Sequence, residues 1–214
     1  MKTLLKTLSV LLLRDNALQI HLYSNGQNNK YVIDMFATLF GKKKLTNEQL
    51  SNIFVNALIE TVDNSFADVT EFINDSPEFT SSPQISFEDS DKFLMIVLAA
   101  NMSQMQKSFS AEEDYVMRKK IIDKFAAVYD VSPAEFTKYL DKYTHLLYRV
   151  KDRSSNVLYA MSKSVFFKYN LSPFQEEYFS AKKTPNPVFL RRLDQVMKNY
   201  IWSWDSYFEK YRLA

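Results

Sequence analysis

Apolar residues recur every three or four positions along most of this chain, which is the spacing of one face of an α-helix. Residues 93–102 are apolar on nearly every side, as expected of a central buried helix. The pattern predicts an all-α fold, an irregular bundle or array of about eight to ten helices. The segments with this periodicity are 46–74, as one helix or two, then 91–107, 111–129, 133–150, 155–169 and a last helix from Pro187.

Helix starts are marked by a repeated motif, the capping box. In this motif the hydroxyl of a Ser or Thr accepts a hydrogen bond from the backbone N–H three residues later. The Glu or Gln at that later position accepts a hydrogen bond from the backbone N–H of the Ser or Thr. Asn186 before Pro187 is a further cap, since proline suits the first helical position. The motifs predict helix starts near residues 46, 110, 132, 172 and 186. The four boxes are Thr46 with Gln49, Ser110 with Glu113, Ser132 with Glu135, and Ser172 with Gln175.

The first 44 residues allow more than one interpretation. Leucines 4, 5, 8, 11 and 12 share one helical face, which favours a helix. An export signal over 1–14 is disfavoured because Lys6 interrupts the apolar run. Alternating apolar positions before the turn at Asn25-Gly26 leave a short hairpin near residues 17–36 as the alternative to helix.

Residues 75–90 lack periodicity, are acidic and hold two prolines. They are predicted to be an acidic linker or a long loop. As a linker they would divide an N-terminal helical unit, 1–74, from a larger C-terminal helical unit, 91–214. As a loop they would belong to one continuous domain.

The last helix is predicted to run from Pro187 to Tyr211 with the three–four spacing of a coiled-coil seam. Packing against the protein's own core is the favoured interpretation, because bulky aromatics are unusual in such seams. A homodimer through this helix is the alternative. The seam positions are Leu190, Leu193, Met197, Tyr200, Trp204, Tyr207 and Tyr211.

Composition restricts the chemistry that this chain can perform. Two glycines and no cysteine exclude a P-loop, a dinucleotide fingerprint and a thiolate site. The two histidines are His21 and His145, and the latter is predicted to face solvent. We therefore favour a non-enzymatic protein with no cofactor. Four carboxylates at helical spacing are the one candidate divalent-metal site, although a solvated acidic face is the favoured interpretation. They are Glu60, Asp63, Asp68 and Glu71.

Charge is strongly segregated along the chain. Residues 1–44 have seven basic and two acidic side chains, residues 45–114 have two and 13, and residues 115–214 have 18 and ten. Neutralisation within the fold is the favoured interpretation, and a basic surface for an acidic partner is the alternative. Helix-turn-helix DNA binding is unsupported, because the apolar period after Thr46 runs through Val62 without a break.

These observations predict a soluble, cytoplasmic protein that acts as a protein–protein interaction or scaffold module. The alternative is a helical ligand-binding regulator with a basic surface that contacts nucleic acid. No apolar run reaches the roughly 20 residues needed to span a membrane. The predicted partner-binding residues are Trp202, Trp204, Tyr207, Tyr211, Arg191 and Arg192.

Overall fold

The computed structural model describes residues 43–151 and 156–213, and these are predominantly helical. The helices are α1 Asn47–Asn74, α2 Ser90–Gln104, α3 Ala111–Val128, α4 Pro133–Val150, α5 Val157–Lys168, α6 Glu177–Ala181, α7 Pro187–Met197 and α8 Trp204–Lys210. Single 3-10 turns lie at Met105–Lys107, Ser172–Phe174 and Lys198–Tyr200. Two short strands, β1 Lys43–Leu45 and β2 Tyr211–Leu213, pair in parallel with Lys43 opposite Tyr211.

The predicted all-α class is confirmed. Seven of the helices have seven or more residues, and α6 has five. The described part of the chain therefore holds fewer long helices than the about eight to ten predicted for the whole chain. The alternative hairpin near residues 17–36 and the first predicted helix lie outside the described residues.

Helix α1 is a single helix of 28 residues. It contains no glycine or proline, so nothing in its backbone chemistry favours a break. One face, which includes Leu50, Phe54, Val62 and Phe66, is buried, while the acidic residues of its second half are exposed. A helix-turn-helix beginning at Thr46 is therefore absent from this segment.

Helix α2 forms the centre of the fold, as its sequence predicts. Every residue from 93 to 102 is buried, because α1, α4 and α5 all pack against this helix. The buried set includes one polar side chain, Asn101, and large apolar ones such as Phe93 and Met95. Full burial of a helix on all sides requires this kind of sequence, with no polar face.

Three of the four predicted capping boxes are present. Thr46, Ser110 and Ser132 each accept from the backbone N–H three residues later, and the Glu or Gln there accepts from the cap backbone. Asn186 likewise caps α7 by accepting from Val188 N–H.

The fourth box prediction, Ser172 with Gln175, is wrong. Ser172 begins a 3-10 turn of three residues, and the Gln175 side chain bonds to the backbone of residues 184 and 186 instead. The reason is tertiary packing. Gln175 is buried, and its side-chain amide forms hydrogen bonds with two backbone groups that lie outside its own turn.

The prediction of one continuous C-terminal helix is also wrong. Helix α7 ends at Met197, a 3-10 turn follows, and α8 begins only at Trp204. Asn101 bonds to the backbone of Tyr200 and Trp202 across this break, and Trp204 is thereby placed in the core. The continuous coiled-coil seam does not form. Dimerisation through this segment stays a prediction, but the seam no longer supports it.

Residues 75–89 form a long loop between α1 and α2 that is hydrogen-bonded and packed against neighbouring elements. The Asn74 side chain donates to Ile85 O over 3.0 Å and accepts from Ile85 N–H over 2.8 Å. Phe79 packs on Phe189 of α7, with ring centroids 4.7 Å apart. The buried residues of α1 and of the later helices form one hydrophobic cluster. The division at 75–90 stays a prediction, since residues 1–42 of its N-terminal unit lie outside the described residues.

No helix among the described residues is long and apolar enough to cross a membrane.

Candidate binding groove

An open groove of about 580 Å³ lies among α5, α6 and α7. Its volume falls within the range typical of ligand sites, about 300–1,000 Å³. Apolar lining comes from residues such as Phe179 and Leu190. The charged and tyrosine lining consists of Tyr159, Lys163, Tyr178, Lys182, Arg191 and Asp194.

Two of the groove's three cations lie over tyrosine rings. Lys163 Nζ is 4.8 Å from the centroid of the Tyr159 ring, and Lys182 Nζ is 3.9 Å from that of Tyr178. Lys182 also donates a hydrogen bond of 2.7 Å to the Tyr178 hydroxyl. These contacts hold the ammonium groups at the groove while leaving their charge available.

None of the three cations forms an ion pair with a carboxylate of the described residues. The ion pairs found there involve other basic side chains: Lys92, Arg118, Lys120, Lys124 and Arg192. The groove is therefore a site of uncompensated positive charge within the described part of the fold.

Asp194 is the one carboxylate in the groove lining. It accepts a hydrogen bond of 2.6 Å from the hydroxyl of Ser162, which is fully buried. Burial raises the pKa of Asp194 despite this hydrogen bond. With three cations and one carboxylate, the groove is positive at neutral pH.

The wall formed by residues 182–187 is fixed by Gln175. Its Nε2 donates to Thr184 O over 3.2 Å, and Asn186 N–H donates to its Oε1 over 2.6 Å. Lys183 adopts φ 49°, a left-handed conformation that costs a non-glycine residue about 1–2 kcal/mol. The surrounding hydrogen bonds hold this turn in place, so the wall has a defined conformation.

The two predicted arginines lie in different places. Arg191 is exposed and lines the groove. Arg192 pairs with Glu78, Nη1 to Oε2 over 2.7 Å, and its guanidinium lies 5.0 Å from the centroid of the Phe72 ring. Arg192 therefore ties the 75–90 loop and α1 to α7, whereas Arg191 remains available to a ligand.

The predicted aromatic residues pack around Phe54 and one another. Trp204 is 2% exposed, with its ring centroid 4.7 Å from that of Phe54, so a role for Trp204 in partner contact is unsupported. Trp202, Tyr207 and Tyr211 are partly buried, and Tyr207 stacks on both of the others. Partner binding by these three stays a prediction.

The structure does not support the candidate divalent-metal site at the four carboxylates of α1. Glu60, Asp63, Asp68 and Glu71 are exposed along α1, and no group of three or more His, Asp or Glu side chains within the described ranges could hold a metal ion. His145 is exposed, as predicted, and His21 lies outside the described residues.

Part of the segregated charge is neutralised inside the fold. Glu48 pairs with Lys120 and Lys124, Glu78 with Arg192, and Asp114 with Arg118, and each of these pairs joins the acidic segment to the basic one. Within the described residues, neither the groove cations nor Glu60, Asp63, Asp68 and Glu71 of α1 take part in this neutralisation.

Of the charged and tyrosine residues that line the groove, only Arg191 is among the predicted partner-binding residues; Tyr159, Lys163, Tyr178, Lys182 and Asp194 are not. A signal for four of these five is present, because Lys163 and Lys182 each follow a tyrosine by four positions. Side chains at i and i+4 meet on a helix surface, so Tyr-x-x-x-Lys predicts a cation over a ring. Nothing in the sequence indicates that the two pairs face the same groove.

Comparisons with known proteins give no relative: no protein family, no curated protein and no solved structure matches this chain.

Proposed function

We propose that this protein is a non-enzymatic interaction module that binds an acidic segment of a partner protein in the groove among α5, α6 and α7. The observation that carries the proposal is the set of three groove cations, Lys163, Lys182 and Arg191, without a carboxylate partner among the described residues. An exposed cluster of positive charge is complementary to a ligand with negative charge.

The side chains of the groove suit an acidic segment of a partner. Arg191 offers a planar fork for a carboxylate, and the two lysines are held over tyrosine rings, which reduces the entropy lost on binding. Phe179 and Pro187 provide an apolar surface for a neighbouring side chain of the peptide. The proposed complex therefore combines carboxylate pairing with apolar contact.

The groove chemistry favours binding over catalysis. A hydroxyl and a carboxylate do meet there, Ser162 and Asp194, but the Ser162 side chain is fully buried and does not reach a bound molecule. The remaining polar lining consists of three cations, two tyrosines and Thr184, whose hydroxyl donates to Lys182 O, and none of these is a base placed to activate a nucleophile.

The test is fluorescence anisotropy with a labelled peptide of alternating Glu and Leu. Lys182→Glu with Arg191→Glu is compared with Lys119→Glu with Lys138→Glu, which changes two exposed lysines of α3 and α4 by the same charge. We expect the groove variant to lose affinity at least about tenfold and the control to lose less than about twofold.

Two results would contradict the proposal. Equal losses of affinity in the groove variant and the control would show that the peptide is attracted only by the net charge of the protein. Tighter binding of duplex DNA than of the peptide, with a steep salt dependence, would favour the nucleic-acid alternative.

A further inference from the structure

A second charged surface lies on the exposed side of α1. Between residues 60 and 71 this helix has four acidic side chains and no basic one. Glu60 and Glu71 lie in one row about 16 Å long, with Asp63 and Asp68 flanking it, because a helix turns about 100° per residue. Ala67 lies within this row and is exposed, so no large side chain projects from this position of the acidic face.

The four carboxylates repel one another. None of them forms an ion pair with a basic side chain of the described residues, whereas Glu48 at the start of the same helix has two. Burial raises the pKa of Asp63, and the nearby Asp91 carboxylate raises it further. A cationic partner would relieve that repulsion.

We infer that the acidic face of α1 in one copy of this protein docks in the basic groove of a second copy. This inference rests on the proposed function, because it uses the same groove and names the partner. It is an electrostatic contact in which Glu60 and Glu71 of one copy meet Lys182 and Arg191 of the other. Both surfaces are exposed and opposite in charge. Neither the acids of the face nor the cations of the groove form an ion pair within the described residues.

The contact joins two different surfaces, so each copy keeps one of them unused after pairing. Such heterologous contacts extend into a chain of copies unless the rotation closes a ring. The contact differs from the symmetric dimer predicted from the C-terminal helix, which would bury the same surface on both copies.

The experiment measures mass by sedimentation velocity at increasing protein concentration. At about 0.02 M NaCl we expect the average mass to at least double, and at about 0.5 M NaCl we expect monomer, because salt screens exposed charge. A groove variant, Lys182→Gln with Arg191→Gln, and a face variant, Glu60→Gln with Glu71→Gln, should each be monomeric alone. All four sites are exposed, so thermal melts should match the wild type.

Mixing the two variants tests the geometry of the contact. The groove variant keeps an intact acidic face and the face variant keeps an intact groove, so an equimolar mixture should give a dimer that does not grow. A chain carrying all four charges reversed, Lys182→Glu, Arg191→Glu, Glu60→Lys and Glu71→Lys, should assemble again. Recovery by reversal would support the contact, since a merely structural effect would not be restored.

Failure of this inference is separable from failure of the proposed function. A monomeric wild type at low salt that still binds the Glu–Leu peptide would overturn the self-contact and leave the groove proposal standing. Self-association that persists in both glutamine variants would also overturn it. Loss of both self-association and peptide binding would refute the two proposals together.

Discussion

The side-chain oxygen of Asn101 in α2 accepts a hydrogen bond of 2.7 Å from the backbone N–H of Trp202. The amide nitrogen of Asn101 donates to Tyr200 O over 2.8 Å and to Val97 O over 2.9 Å. One fully buried asparagine thus satisfies two backbone groups within the break between α7 and α8. Trp204, two residues later, is placed against Phe54 in the core.

Replacing this asparagine should destabilise the fold. In Asn101→Ala the Trp202 N–H and the Tyr200 carbonyl lose their partner, and each unsatisfied buried group costs about 1–3 kcal/mol. We expect the free energy of unfolding in urea to fall by about 3 kcal/mol. Asn64→Ala, at an exposed position of α1, is the control and should change it by less than about 0.5 kcal/mol. Equal effects of the two variants would refute the role assigned to Asn101.

The capping boxes allow a matched test at two serines. Ser132 caps α4, so Ser132→Ala should cost about 1 kcal/mol of stability. Ser172 precedes a proline and a Gln three positions later in the same way, yet its hydroxyl caps no helix in the structure. Ser172→Ala should therefore be nearly neutral in the same urea titration. A comparable loss at Ser172 would show that the box forms after all.

The contrast between these serines shows how far local sequence predicts this fold. Cap residues and apolar periodicity act within one or two turns, so they predicted α3, α4 and the buried α2 closely. The Ser172 box and the continuous C-terminal helix failed for a shared reason. In both, a buried side-chain amide, Gln175 or Asn101, bonds to backbone that is distant in sequence or in another element. Such tertiary bonds leave no local signal.

The candidate site was predicted only in part. Charge counting favoured neutralisation within the fold and left a basic surface as the alternative; Arg191, one of the predicted partner-binding residues, does line the groove. Arg192, its neighbour in sequence, does not, because successive helical residues point about 100° apart and Glu78 reaches Arg192 from the 75–90 loop. Which basic residues remain unpaired depends on which carboxylates the fold brings close, and the sequence alone does not contain that information.

Glu48 should make stability depend on pH. Hydrogen bonds from Lys120 and Lys124 lower the pKa of Glu48 from 4.5 to about 2. A carboxyl whose pKa is lowered by folding contributes stability above its unfolded pKa, and that contribution is lost as the pH falls toward the folded value. Glu48→Gln should thus be less stable than the wild type at pH 7, with the gap closing between about pH 4.5 and 2.

The size of that gap should be small, below about 1 kcal/mol, since the Glu48 side chain is 54% exposed. Denaturation at several pH values and two salt concentrations would measure it. Glu112→Gln, which changes another acid near a helix start, is the control. A gap that stays constant down to pH 2 would contradict the ion-pair explanation.

Asp194 should oppose the binding of an acidic peptide. Burial raises its pKa, so folding favours the protonated form, and ionisation as the pH rises through the folded pKa costs stability. Asp194→Asn keeps an oxygen that accepts from the Ser162 hydroxyl but removes the negative charge from the groove. We expect several-fold tighter peptide binding at pH 7 and no loss of stability relative to the wild type. Weaker binding at pH 7 would mean that Asp194 contacts the peptide favourably.

Gln175 should act on the groove without touching the peptide. Its side chain is 3% exposed and bonds to Thr184 O and Asn186 N–H, so its effect must pass through the wall at 182–187. Gln175→Met keeps the size of the side chain and removes both bonds. We expect a stability loss of about 2 kcal/mol, faster hydrogen exchange at the Asn186 amide and weaker peptide binding. The control, Gln195→Met at an exposed site of α7, should change none of these. Gln175 can affect peptide binding only by loosening the wall at 182–187. If stability fell while hydrogen exchange at Asn186 and peptide affinity were unchanged, Gln175 would therefore be an ordinary core residue.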